Sequence, residues 1–342
     1  MESVKLDWND ISLVPECIST VSSRKEVNCT HIGNMLPLFT APMDTVIDEN
    51  NAQKFHEERI NVCLPRNVKY KKGSNEQYFY SYGLDEIIDI LNNDGILPKK
   101  ILIDVANGHM FKLFETSKRI KEQFGDNKIL MIGNIANPKT YEKYCEIGVD
   151  YIRVGIGGGS ACTTSANVSI HYPMASLINE CSDISKKYDK PTKIIADGGF
   201  RNFSDIIKAL ALGADYVMLG GIFNKCLESC SDSYTKTDNG EFIEKDYLTA
   251  KTLFESGDKV YKYYRGMSTK EVQKAWNKKT LKTGEGITKY NLVEYTTSGW
   301  VENFSDYLKS AMSYTGCRTL EEFIGDVEFI KISQNAFNRF NK

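Results

Sequence analysis

The 342-residue chain has almost no net charge: 43 Lys and Arg stand against 45 Asp and Glu, a formal balance of −2. That balance gives no general attraction to nucleic acid, and none is expected as a partner. No apolar run approaches the ~20 residues that a membrane-spanning helix needs, so no membrane span is expected. The opening residues MESVKLDWND are polar and do not read as a secretory signal peptide. The nine cysteines have no paired spacing, and their number is odd. Reduced thiols in a cytoplasmic protein are the simplest expectation. Cys226 and Cys230 form a lone C-x3-C with no second pair or nearby His to complete a zinc site. Neither a G-x-G-x-x-G fingerprint nor a P-loop occurs, which argues against a Rossmann or kinase-type nucleotide site.

What the chain has is a long alternation of short β-rich runs and helical patterns. The predicted strands are Leu36–Thr40, Ile60–Leu64, Lys100–Asp104, Lys128–Ile132, Asp150–Val154, Lys193–Ala196, Asp215–Leu219 and Lys259–Tyr264. Most are continuously apolar, as expected of parallel strands covered on both faces. Helical periodicity covers Asp85–Leu91, Phe111–Phe124, Pro138–Ile147, Met174–Lys187 and Phe203–Leu212. Residues 128–155 and 193–220 align without a gap at an offset of 65, each carrying Gly-x-Asp-Tyr before a strand that ends in Gly. Such a repeated β–loop–α–β unit suits a (β/α)8 TIM barrel in one domain, the alternative being two units of a doubly wound sheet. Residues 224–257 read as an excursion, with a hairpin as one form of it. Residues 269–296 read as a flap, and 301–342 as a tail with two amphipathic helices and an apolar run.

Loops that follow strands form the active face of such a barrel, and nearly all the Gly-rich sequence falls in them. Gly157-Gly158-Gly159-Ser160-Ala161-Cys162-Thr163-Thr164 lets backbone approach a ligand or ion closely. It presents Cys162 on a loop, where a thiolate could attack, with Thr164 two residues on as a proton relay. The alternative is a turn with an incidental buried cysteine. Asp197-Gly198-Gly199 opens a helix, and Gly220-Gly221 follows the next strand; free N–H groups there suit a phosphate, and Asp197 suits ribose hydroxyls. Asp104 with Asn107 ends a strand and could face a cofactor, and Glu285 could serve as acid or base. His109 and His171, on loops, read more readily as structural.

Together GGGSACTT, the ADGG and MLGG loops, APMDTV, DVANGH and YRGMS resemble the inosine monophosphate dehydrogenase/guanosine monophosphate reductase family, in order and spacing, from Leu6 to about Gln334. Within it the chain looks reductase-like: it is short, it has no room for an inserted cystathionine-β-synthase-type pair, and its flap between Met267 and Glu285 lacks the Arg-Tyr pair of the dehydrogenases. The resemblance implies NADPH-dependent reductive deamination of GMP to IMP and ammonia through a thioimidate on Cys162, with Thr164 and Glu285 moving protons. It implies that Asp197, Gly198, Gly199, Gly220 and Gly221 hold ribose and phosphate, and that Ser160 also binds substrate. Gly266, Met267, Ser268 and Gly286 would line the base. Asp104, Val105 and Ala106 would lie along the nicotinamide, with Ser23 and Arg24 also reaching cofactor. Carbonyls of Gly157, Gly159 and Cys162 match a potassium site, and a homotetramer is implied.

The chain also departs from the pattern. Ser165 stands where the family usually has Arg, Met174 where it has Gln, and Cys63-Leu64-Pro65-Arg66 replaces a His-Lys-His-like run. The reductase Tyr-Arg segment before Glu285 is missing. These changes touch cation ligation, cofactor choice and base reading. The competing expectations are an IMP dehydrogenase that uses NAD, and a non-catalytic purine nucleotide-binding protein.

Overall fold

The computed structural model describes residues 4–340 apart from 32, 268, 270, 271, 273–283 and 285. Eight parallel strands form the centre: β1 (Leu38–Thr40), β2 (Cys63–Leu64), β3 (Phe79–Tyr82), β4 (Lys100–Asp104), β5 (Ile129–Ile135), β6 (Tyr151–Val154), β7 (Lys193–Asp197) and β8 (Tyr216–Leu219). They pair in chain order, β8 pairs with β1, and a bridge from Phe39 to Asn61 joins β1 to the start of β2. The ring is thereby closed, as the repeat led us to expect of a (β/α)8 barrel.

Helices α1 (Ala52–Glu57), α2 (Leu84–Asn92), α3 (Phe111–Phe124), α4 (Pro138–Glu146), α5 (Thr164–Val168), α6 (Met174–Ser185) and α7 (Phe203–Ala211) connect the strands, with a short α8 (Gly221–Asn224) after β8. Asn137 and Asn202 cap α4 and α7 by accepting backbone N–H bonds, from Lys139 and Asp205 respectively. The interior is filled by Phe39, Phe79, Leu102, Met131, Ile195 and Met218, with Tyr151 and Tyr216 packed on them. A larger apolar layer lies between strands and helices.

The predicted eighth strand is a strand but not a barrel strand. It belongs to a separate antiparallel sheet of β9 (Ser233–Lys236), β10 (Phe242–Lys245), β11 (Tyr261–Arg265) and β12 (Thr288–Leu292), in the order β10-β9-β11-β12. The missing barrel member is β3, whose sequence FYSY is buried throughout. Its aromatic residues favour strand, but Ser81 and two tyrosines break the apolar run. The burial is made possible by tertiary partners: Ser81 Oγ donates to the Leu64 carbonyl, 2.6 Å away. The β9–β10 hairpin realises the excursion, and α9 (Tyr247–Glu255) follows it.

The tail forms α10 (Thr297–Tyr314), α11 (Leu320–Phe323), a strand Phe329–Lys331 and α12 (Gln334–Phe340). That strand pairs antiparallel with Ile11–Leu13, tying the two ends of the described chain together. Among the described residues no helix is long and apolar enough to cross a membrane.

Candidate active site

The C-terminal ends of the barrel strands and the loops beyond them enclose a cavity of about 430 Å3, within the range of small-ligand sites. Its wall includes Asp104, Arg153, Gly157, Cys162, Asp197 and Tyr264.

The floor is a charged network set on top of the apolar barrel filling. Arg153, near the end of β6, donates to Asp104 Oδ1 (2.6 Å) and, through Nε and Nη2, to Asp197 Oδ2 (3.0 and 2.8 Å). Asn134 Nδ2 also donates to Asp197 Oδ2, at 2.8 Å. Arg66 Nε donates to Asp104 Oδ2 at 3.1 Å, and Arg66 Nη2 donates to the Asp104 carbonyl. Burial by itself would raise the Asp104 carboxyl, but Arg153 and Arg66 outweigh it and hold it below the ordinary carboxylate range. Burial works against the charge of Arg153, and Asp197 and Asp104 more than restore it. The bonds from Asn134 and Arg153 to Asp197 all fall on Oδ2, and no described residue donates to Oδ1.

Above this floor the β6–α5 loop crosses the cavity. Cys162 is partly exposed, and its thiol donates to Thr164 Oγ1 at 3.3 Å. Seven of the other eight cysteines differ plainly from it. Cys29, Cys63, Cys145, Cys181, Cys226 and Cys317 are buried, Cys230 points at the Asp44 carbonyl, and burial pushes the thiols of Cys63, Cys181 and Cys226 up. Cys162 is bridged antiparallel to Gly286, and Ile287 N–H donates to the Ala161 carbonyl (3.1 Å). Gly286 and Ile287, within the stretch read as a flap, are thereby stitched to the cysteine loop.

Of the glycine turns, Gly198 is on the cavity wall, and Gly220 and Gly221 stand beside it, against the wall residues Met43 and Tyr264. Gly198 and Gly199 have φ of +99° and +86°, which L side chains rarely adopt. A Cβ on Gly221 would fall 2.8 Å from Ser160 Oγ, and one on Gly220 would fall 2.9 Å from Met43 Sδ and 3.2 Å from the Tyr264 hydroxyl. Ser160, Gly220, Gly221 and Tyr264 are therefore neighbours. Burial pushes the Tyr264 hydroxyl up to about 12, so it stays protonated and can donate. Gly266 and Gly286 approach each other and the Ala161 carbonyl so closely that a side chain on Gly266 would collide with that carbonyl.

Of the residues expected from sequence, Asp104, Val105, Ala106, Gly157, Gly159, Cys162, Thr164, Asp197, Gly198, Gly266 and Met267 line the cavity. Gly199 instead lines a second hollow of about 260 Å3, beside Trp8 and behind Gly157 and Gly158. Ser23 and Arg24 are not on the cavity wall: they form a 3-10 turn capped by Ser23 and packed on α10. Glu285 and Ser268 fall outside the described residues. His109 is a structural brace: Nε2 accepts from Ala136 N–H, so Nδ1 donates to Thr140 Oγ1.

Sequence reasoning missed Arg153, Asn134, Arg66 and Tyr264 as wall residues. Arg153 carried a visible signal, a charge inside the apolar run DYIRV. Asn134 lies just past the predicted strand Lys128–Ile132 but inside the observed β5, and Tyr264 opens the YRGMS motif; the sequence reading gives neither a role.

The carbonyls implied for a potassium ion were tested by their hydrogen bonds. The Gly157 carbonyl accepts from the Ser165 hydroxyl (3.1 Å) and the Gly159 carbonyl from the Cys162 N–H (2.9 Å). Two of the three oxygens thus already face protein donors, a poor fit to a cation cage, and no chemistry is routed through one. Among the described residues no cluster of three or more His, Cys, Asp or Glu is arranged to hold a metal.

Comparison with known proteins bears on the same residues. The IMP dehydrogenase / GMP reductase domain matches residues 99–340. The GMP reductase of Buchnera aphidicola subsp. Baizongia pistaciae is 30% identical over 367 residues, covering 99% of this chain and 97% of the relative. That of Vibrio parahaemolyticus is 28% identical over 379 residues (100% and 98%), and that of Onchocerca volvulus 27% over 368 (98% and 93%). A closed barrel with this loop order, matched over most of its length, makes the chain a member of the IMP dehydrogenase / GMP reductase family.

Proposed function

We propose that the chain is a GMP reductase, an oxidoreductase that converts GMP to IMP and ammonia with NADPH, by way of a covalent bond from Cys162 to purine C2. The observation that carries this reading is the Cys162–Thr164 pair, 3.3 Å apart, on a loop facing the cavity that Asp104 and Asp197 floor.

The chain's residues divide the work by position. Gly198, Gly199, Gly220 and Gly221, with the Ser160 and Tyr264 hydroxyls, offer donors for a phosphate. Asp197 Oδ1, which no described residue bonds, suits a ribose hydroxyl. Met267 and Gly266 on the cavity wall, with Gly286 packed on Gly266, are assigned to the base. With the base held, the Cys162 sulfur adds to C2, and the thiol proton passes through Thr164 to the 2-amino group. Glu285, chain neighbour of Gly286, is assigned the second proton, so that the amine leaves as ammonium and a C2–S bond remains. Reduced nicotinamide, when bound along Asp104, Val105 and Ala106, supplies a hydride. C2 gains that hydrogen, the C–S bond breaks, and the electron pair returns to sulfur. The sum is GMP, NADPH and two protons giving IMP, NADP and ammonium. Covalent attack divides one difficult substitution into two steps. Homotetramer formation is proposed from the family likeness and is checked by light scattering.

The test is mass spectrometry of the protein mixed with GMP and no dinucleotide. A purine adduct on the peptide carrying Cys162 is expected. An unmodified peptide, together with normal turnover by Cys162→Ala, would sink the reading. Absorbance at 340 nm, followed with GMP and NADPH and with IMP and NAD, separates the reductase from an IMP dehydrogenase.

A further inference from the structure

The departure at Ser165 has a structural counterpart. A monovalent cation orders a loop by drawing several carbonyl oxygens to one point and offsetting their repulsion, as carbonyl rings do in potassium filters. Hydrogen-bond donors do the same for individual carbonyls. In this chain the Ser165 hydroxyl donates to the Gly157 carbonyl (3.1 Å), the Cys162 N–H to the Gly159 carbonyl (2.9 Å), and the Ile287 N–H to the Ala161 carbonyl (3.1 Å). Ser165 is itself held in place. It packs so tightly on Gly157 that a Cβ there would fall 2.9 Å from its own Cβ. It also sits in α5, whose turn is closed by Asn167 N–H on the Thr163 carbonyl (2.9 Å) and Ser169 N–H on the Ser165 carbonyl (3.2 Å). Of the three carbonyls matched to a potassium site, 157 and 159 thus have donors from the protein, and the third donor falls on the carbonyl next to Cys162, that of Ala161.

We propose that the Ser165 hydroxyl and α5 order the Cys162 loop from within the chain, so that this enzyme needs no monovalent cation. The turnover part of the test rests on the GMP reductase reading; the alkylation part does not.

Protein exchanged into tetramethylammonium chloride is compared with protein in potassium and sodium chloride at equal ionic strength. Alkylation of Cys162 by iodoacetamide, followed on its peptide, is expected to agree within about twofold in the three salts, and GMP-dependent NADPH oxidation likewise. A fall of about tenfold or more in either rate on removing potassium overturns the proposal. Ser165→Ala, which removes the donor, is expected to become potassium-responsive by about fivefold in alkylation, whereas Ser165→Thr keeps a hydroxyl and stays insensitive. If Ser165→Ala folds, by circular dichroism, and is as salt-insensitive as the parent, the role given to Ser165 is overturned. No GMP turnover in any salt, with alkylation unchanged among salts, defeats the reductase reading and supports the loop assignment.

Discussion

The two copies of the internal repeat, β5–α4–β6 and β7–α7–β8, share their scaffold and differ in what they present to the cavity. Both helices start on an Asn cap, Asn137 and Asn202, and both end near a positive-φ glycine, Gly148 at +73° and Gly213 at +110°. Asp150 and Asp215 each accept a backbone N–H from the start of the preceding strand (Leu130, 2.9 Å; Ile194, 2.8 Å) and each binds a lysine at 2.8 Å. Tyr151 and Tyr216 meet inside the barrel, their rings 5.9 Å apart. The cavity residues diverge: Arg153 in one copy stands where Met218 stands in the other. What was kept in both copies braces the fold, and what changed became the site.

The comparison also exposes a shift hidden in the gapless alignment. An offset of 65 matches Asp150 to Asp215 and Asn137 to Asn202, yet it pairs Leu130 with Ile195, whereas Asp215 reaches Ile194. An irregularity between Gly133 and Ile135 in β5 takes up the extra residue. Since a strand has a period of two, the shift decides which side chain faces inward. The counterpart of Asp197 is therefore Gly133, which pairs with Asp104 on one side and Arg153 on the other.

Making the first copy like the second should do the most damage. Arg153→Met leaves Asp104 and Asp197 buried without their shared counter-ion. We expect a loss of about 3–5 kcal/mol in stability and loss of nucleotide binding, checked by urea unfolding and by titration with GMP. The same network predicts an acid response. Because the Asp104 pKa is lowered on folding, its stabilising contribution is complete above the ordinary carboxylate range and disappears as pH falls through the depressed value. The gap in urea midpoint between the parent and Asp104→Asn should be widest above about pH 4 and close below it.

Next come the paired glycines, which share a role but not surroundings. A Cβ on Gly213 would fall 2.1 Å from Ser182 Oγ, whereas one on Gly148 meets nothing within 4 Å. Gly213→Ala should cost about 2–3 kcal/mol through overpacking and backbone strain. Gly148→Ala should cost about 1 kcal/mol from φ alone. Equal costs would show that surroundings do not matter at these caps. The smallest and most symmetrical effect is expected at the helix starts: Asn137→Ala and Asn202→Ala should each cost about 1 kcal/mol, read as matched shifts in melting temperature with no change in KM.

Much of the fold was legible because parallel strands and amphipathic helices write their periods directly into the chain. The five predicted helices formed, and seven of the predicted strands entered the barrel. β3 did not announce itself, since FYSY is apolar enough to be buried only when Leu64 supplies a carbonyl for Ser81. In the site, the glycine loops could be read because close backbone approach excludes side chains. Arg153, Asn134 and Arg66 could not be assigned partners, since Asp104 and Asp197 lie 93 residues apart in sequence and meet only through the closed ring.

By itself the sequence determined the alternating elements, the repeat, the glycine turns and a cysteine on a loop, because each is a local property of spacing and residue type. Only the tertiary structure decided which eight strands close, which face of β5 looks inward, and which donors satisfy the carbonyls of the Cys162 loop. Those depend on register and on groups far apart in the chain, and neither is written in any one segment.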